Sequence, residues 1–265
     1  MQVWSLSSGS SGNCYLVREG STLLLLEAGV GVRRIQRELA QLGFSTADLS
    51  AVLASHEHVD HWRSAAALSR RLQVPLVCTS GSWRAAGDGS TVPVLPLGAG
   101  ESLTLGDMVV EPFSVSHDAR DPVGFLLRSP GGTLCLATDM GLMTEEVVER
   151  ARGADLVILE ANHDVEMLVR GPYPARLKAR ILGDRGHLSN EEAARTIVRI
   201  ARGRPRRFWL AHLSDTNNSP RVALATVQAV LRREGLEGLK VDVALRDQRS
   251  LAWDSEGEAA QLRLF

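Results

Sequence analysis

Three imidazoles and a carboxylate, His56, His58, Asp60 and His61, fall within six residues in the run Ser-His-Glu-His-Val-Asp-His at 55–61. Side chains two apart at the end of an extended segment point the same way. His56 and His58 are therefore placed to share one metal ion, and Asp60 and His61 a second. Neutral imidazole suits zinc, iron or manganese, and the carboxylate shifts the second position toward oxygen-preferring ions. The competing reading, polar residues scattered in a solvent loop, fails on what the rest of the chain supplies. His117, Asp139 and His212 each follow a strand-like run directly: 108–116, 133–138 and 207–211. Rigid strand ends are where loops gather ligands. Two adjacent cations acidify water and offset charge on a phosphoryl oxygen, so the predicted chemistry is hydrolysis, with a phosphodiester as a natural target.

The order His-x-His-x-Asp-His, then His, Asp and His, resembles the metallo-β-lactamase superfamily over most of the chain. A closer resemblance, to the bacterial YycJ/WalJ family, is carried by Ser-Gly-Ser-Ser-Gly-Asn-Cys (8–14), Ser-His-Asp-Ala-Arg-Asp-Pro-Val-Gly (116–124), Glu-Ala-Asn-His-Asp-Val-Glu-Met-Leu (160–168) and Gly-Asp-Arg-Gly-His-Leu-Ser-Asn-Glu-Glu (183–192). The resemblance implies an α/β (α+β) fold, the αββα metallo-β-lactamase sandwich of two mixed β-sheets flanked by helices. It implies two divalent ions, Zn²⁺ or Mn²⁺. His56, His58 and His117 would hold the first, Asp60, His61 and His212 the second, and Asp139 would bridge them. It further implies a cytoplasmic 5′-to-3′ DNA exonuclease acting on single- or double-stranded ends, linked to DNA repair and its proteins. A small-molecule hydrolase, such as a cyclic phosphodiesterase or lactonase, is the alternative. One departure stands out: Glu27 occupies the strand end where the superfamily usually has Asp. Either the longer arm orients the ligand loop through a shifted hydrogen bond, or the metal is held less tightly.

Asp60, Asp139 and His187 are the expected catalytic residues, with His187 contacting phosphate or protonating the leaving group. His163, in Asn-His-Asp after an apolar strand, is a second free imidazole near substrate. The loop at 7–13 offers Ser10, Ser11 and Asn13 to an anion. Asn217 and Asn218 follow His212 and either reach substrate or cap the helix that opens at Pro220. Asp118 and Asp121 flank His117 as orienting carboxylates or ordinary turn residues. Arg170, Arg176, Lys178, Arg180 and Arg185 form a basic cluster able to hold phosphates or to solvate a helix face, with Arg185 counted among the substrate contacts.

Elements must deliver these groups. Strands are predicted near 2–6, 13–17, 21–27, 51–55, 75–78, 108–116, 123–128, 133–138, 155–160, 206–211 and 239–244, with helices between them. Helical spacing covers 30–42, 61–72, 190–201 and 220–233, the third opening on a Ser189/Glu192 capping pair. The chain reads as a single domain over 1–265. The interval from Asp139 to His212 is too short for the inserted cap of β-CASP nucleases, so the site should be open. A net charge of −1 makes no strongly basic nucleic-acid binder, leaving recognition to local clusters. Apolar runs fall well short of the roughly 20 residues of a membrane span. No basic, apolar leader opens the chain. Cys14, Cys78 and Cys135 lack paired spacing and are expected as buried thiols. The tail 254–265 could add an edge strand.

Overall fold

A computed structural model describes residues 1–87, 89, 91–201 and 206–257. The strands are β1 (Gln2–Ser7), β2 (Cys14–Glu19), β3 (Thr22–Leu26), β4 (Ala51–Leu53), β5 (Leu76–Cys78), β6 (Val94–Pro96), β7 (Leu103–Leu105), β8 (Met108–Ser114), β9 (Val123–Ser129), β10 (Gly132–Ala137), β11 (Leu156–Glu160), β12 (Arg207–Ala211), β13 (Lys240–Val243) and β14 (Leu251–Asp254). One sheet runs β14-β1-β2-β3-β4-β5-β6 and the other β13-β12-β11-β10-β9-β8-β7. Pairing is antiparallel from β14 to β3 and parallel from β3 to β6. The second sheet likewise joins a parallel half, β13 to β10, to an antiparallel half, β10 to β7.

Period-two side chains make the layers. In β3, Leu24 and Leu26 face the second sheet while Leu23 and Leu25 face outward; in β11, Leu156 and Ile158 face in and Val157 and Leu159 out. Both faces are buried, which is why these strands read as unbroken apolar runs. Tyr15, Phe125 and Trp209 fill the space between the sheets. Helices α1 (Val32–Gln41), α2 (Val59–Trp62), α3 (Ala65–Leu72) and α4 (Ser80–Ala86) belong to the first half of the chain; Ile35, Leu39 and Leu68 pack on the first sheet. Helices α5 (Glu145–Arg152), α6 (Val165–Arg170), α7 (Ala175–Ile181), α8 (Asn190–Ala201) and α9 (Pro220–Arg233) follow, with Val148, Ile197 and Val227 packing on the second. The expected αββα sandwich is the fold observed.

Local chemistry explains the boundaries. Glu192 N donates to Ser189 Oγ at 3.2 Å and Ser189 N donates to Glu192 Oε2 at 2.8 Å, the reciprocal pair that opens α8. The continuous helix expected over 61–72 is divided. Ser64 N donates to Ala28 O and its hydroxyl to Val30 O at 2.6 Å, tying the chain to the end of β3 between α2 and α3. Strands β6, β7 and β14 lie outside the expected set. The first two are three-residue, half-exposed outer strands with too little alternation to register. The strand β14 lies against β1 but begins before the tail in which an edge strand was sought, and residues 258–265 fall outside the described residues. All three cysteines are buried free thiols, and burial pushes Cys78 and Cys135 up to about 12. Among the described residues no helix is long and apolar enough to cross a membrane.

Candidate metal centre

The carboxyl ends of the central strands of both sheets open on one end of the sandwich, and the ligand-type residues gather there. Beyond β4 come His56 and His58; α2 then carries Asp60 and His61. Asp139 follows β10 and His212 follows β12, while His117 sits three residues beyond β8. The backbone is left-handed at Asp139 (φ 60°), His212 (φ 54°) and Glu27 (φ 61°). Non-glycine residues seldom adopt this conformation, and its concentration at strand ends turns three acidic or imidazole side chains toward one point.

Among the described residues three donor groups result. His56, His58 and His117 offer nitrogens within 4.8 Å of one another, and so do Asp60, His61, Asp139 and His212 with nitrogens and carboxylate oxygens; a third group, Asp139, Glu160, His187 and His212, overlaps the second. Asp139 lies between the first two: Oδ2 is 3.1 Å from His61 Nε2, and Oδ1 is 3.3 Å from His212 Nε2 and 3.8 Å from His117 Nε2. Burial opposes ionisation of Asp139, but the His212, His61 and His117 rings hold its carboxyl well below the usual range. Burial drives His56 well below the ordinary imidazole value, with His61 beside it adding to the effect, so His56 is a neutral donor. His56 Nε2 is buried with no hydrogen-bond partner among the described residues. Such an orphaned ring nitrogen, grouped with those of His58 and His117, fits a divalent cation.

A supporting shell holds these groups. Glu27, fully buried, places Oε2 3.1 Å from His61 Nδ1 and accepts from Ser55 N at 3.4 Å. Burial depresses His61, but Asp139 and Glu27 on its two sides overcome this and hold it well above the usual value. The longer arm of glutamate therefore reaches the orienting position, which answers one of the two readings of that departure. Glu27→Gln is expected to lower metal affinity roughly 10- to 100-fold while leaving the fold intact, measured by competition with a chromogenic chelator. Unchanged affinity would remove Glu27 from the site.

Several sequence candidates occupy other roles. Asn13 is buried; its Nδ2 lies 3.0 Å from both His61 Nε2 and His212 Nδ1, so it braces two imidazoles. Asn218 is also buried, spending its carboxamide on Ala161 O, Asn162 O and Asn190, away from the cavity. The cap of α9 is Ser219, not Asn217 or Asn218. Arg185 donates to His117 O at 3.1 Å and Ala119 O at 3.4 Å, fastening the ligand loop where a phosphate contact was expected. Asp121 places its carbonyl, not its carboxylate, on Thr79 and Ser82, whereas Asp118 Oδ1 is 3.5 Å from His117 Nε2. Of the basic cluster, Arg170 pairs with Glu166 and Arg180 with Asp118; Lys178 donates to Val169 O. Ser11 is exposed and lines none of the cavities described below, while Ser10 lines two of them.

The cavity over the donor groups, about 320 Å³, is lined by Ser10, His58, Asp60, His117, Asp139, Arg180, His187 and His212, with Val59 at its edge. His187 stands at its wall, its ring 5.3 Å from His212 and 5.1 Å from His117. Its Nδ1 is 2.7 Å from Glu160 Oε1, and Glu160 Oε2 accepts from Met140 N at 2.7 Å and Leu188 N at 3.3 Å. Burial pulls His187 down, yet Glu160 more than compensates and raises it to about 9. Glu160 was absent from the expected set; its place at the end of β11, beside the end of β10 that Asp139 follows, was the available signal. His163 is buried behind this wall with both ring nitrogens unpartnered among the described residues, in a separate cavity that shares only His187 with the first.

Comparison with known proteins agrees with this geometry. The family model described as the beta-lactamase superfamily domain matches residues 22–213. The chain is 35% identical over 250 residues to a protein named exodeoxyribonuclease WalJ from Streptococcus pneumoniae, covering 91% of this chain and 92% of the relative. It is 35% identical over 234 residues to exodeoxyribonuclease YycJ from Bacillus anthracis, covering 87% and 89%. Among solved structures, YhfI from Bacillus subtilis superposes with TM-score 0.72 at 16% identity over 96% of this chain and 98% of that one. Zn²⁺-bound PqqB from Methylobacterium extorquens gives 0.69 at 19% identity over 96% and 100%. Likeness at that identity speaks for the fold alone.

Proposed function

This chain belongs to the beta-lactamase superfamily, alongside the WalJ and YycJ exodeoxyribonucleases, and from that premise we propose that it is a metal-dependent DNA exonuclease. The observation that carries the reading is the pair of abutting donor groups joined by Asp139 at the floor of an open cavity. His56, His58 and His117 would hold one divalent ion and Asp60, His61 and His212 another, with Asp139 between them. Structural zinc sites close on four ligands, so seven donors beneath an open cavity suit catalysis better. Nitrogen-rich ligation favours zinc by affinity, with manganese the alternative where it is more available. When bound, such ions acidify water and neutralise charge on a phosphoryl oxygen.

The protein's own groups do the rest. Glu160 fixes the His187 ring through Nδ1, which leaves Nε2 to give a proton to the departing sugar oxygen as its bond to phosphorus breaks. Arg180 and Ser10, on the same cavity wall, are placed to meet non-bridging phosphate oxygens. We extend the reading to 5′-to-3′ polarity, a cytoplasmic setting and a part in DNA repair on the resemblance to the YycJ/WalJ family.

The test is degradation of end-labelled single- and double-stranded DNA by metal-stripped protein after Mn²⁺ or Zn²⁺ is restored. Stepwise release from the 5′ end, dependent on added metal, is the expected outcome. Hydrolysis of a small phosphodiester with DNA left intact would overturn the reading in favour of a small-molecule hydrolase.

A further inference from the structure

A second cavity, of about 180 Å³, opens beside the metal cavity and shares Ser10, Arg180 and His187 with it. Leu177 and Ile181, four apart on α7, line it from one helix face, and Tyr173, just before the Pro174 cap of that helix, lines it beside them. Asn162, Ser214 and the Asp118 carboxylate, which pairs with Arg180, supply polar lining. Asn162 spends Nδ2 on His212 O at 3.0 Å, which leaves its carboxamide oxygen for a ligand. An aromatic ring and two aliphatic side chains next to a phosphate-handling site form the chemistry of a stacking platform for a planar heterocycle.

We propose that this cavity is a nucleobase subsite: it takes the base of the terminal nucleotide, unstacked from its neighbour, with the Tyr173 ring against it. The inference rests on the exonuclease reading and deepens it. A base seated here puts the sugar oxygen linking it to the scissile phosphate at the wall common to the two cavities, where His187 stands. Leaving the stack is easiest at a strand end, where a base has one stacking neighbour instead of two. The subsite therefore selects ends over interior positions without reading sequence.

The experiment compares two oligonucleotides that differ only at the terminal residue attacked first, one bearing thymine and the other a base-free tetrahydrofuran sugar. The metal-loaded wild-type protein is expected to release the base-bearing residue roughly tenfold more efficiently in kcat/KM. Tyr173→Ala is expected to collapse that difference to about twofold by slowing only the base-bearing substrate, and Tyr173→Phe to retain it. The base-free substrate monitors folding, because a damaged protein would lose both reactions together. Equal rates on the two ends in the wild type, or full discrimination by Tyr173→Ala, would overturn the subsite and leave the exonuclease reading standing. Absence of any DNA release by the metal-loaded wild type would overturn both.

Discussion

Asp139→Ala is expected to lose at least one bound ion and on the order of 10³-fold in kcat/KM for DNA, read by atomic emission after dialysis and by release of end label. The carboxylate stands between His61, His212 and His117, each within 3.8 Å. Without it, the second donor group keeps Asp60 as its one carboxylate, and the two groups lose the residue between them. Asp139 also holds a left-handed backbone, a conformation that Asp tolerates and Ala does not, at about 1 kcal/mol. Asp139→Asn separates the two contributions, since it keeps the backbone preference and removes the charge. The expected order of damage in metal content is Ala at least as severe as Asn, and both far from wild type. Wild-type metal content and rate in the alanine variant would refute the ligand assignment.

Gly29→Ala is the second large effect, although Gly29 is not itself a candidate ligand. A Cβ at this position would lie 1.7 Å from Asp60 O, 2.2 Å from Asp60 C and 2.8 Å from Asn13 N. These are backbone atoms and cannot swing aside. They belong to a knot in which Asn13 N donates to Asp60 O at 2.8 Å, Gly29 N to Asn13 O at 2.9 Å and Ala28 N to His61 O at 2.8 Å. Overpacking of this severity is expected to cost about 3 kcal/mol, lowering the melting temperature by roughly 6–12 °C. It should also weaken metal binding at least tenfold, because the displaced segment carries Asp60 and His61. A variant that melts within about 1 °C of wild type and loads metal normally would show that the contact relaxes at little cost.

The ligand-type residues were legible in sequence because strand ends impose them locally: each follows or lies a few residues beyond an apolar run. Helices α8 and α9 were legible to their boundaries because Ser189 with Glu192, and Pro220, mark starts by short-range hydrogen bonding and backbone restriction. What was not legible needed a partner distant in the chain. Asn13 and Arg185 looked like substrate contacts because a polar residue near a site carries no mark of what it is bonded to. Asn13 meets His212, and Arg185 meets the His117 carbonyl, across long stretches of chain. Glu160 was missed for the same reason: a buried carboxylate at a strand end becomes meaningful only when the loop bearing His187 folds over it.

His56, His58, Asp60 and His61 come from the half of the chain that builds the first sheet, whereas His117, Asp139 and His212 come from the half that builds the second. Neither the group of His56, His58 and His117 nor the group of Asp60, His61, Asp139 and His212 is complete within one half, whereas Asp139, Glu160, His187 and His212 all lie in the second. The seven proposed ligands are a quorum, and a chain in which only one half has folded can offer no more than part of either of the two sites they form. Loading of both sites therefore proofreads tertiary assembly, and a two-ion centre is withheld from every conformer in which the two halves have not met.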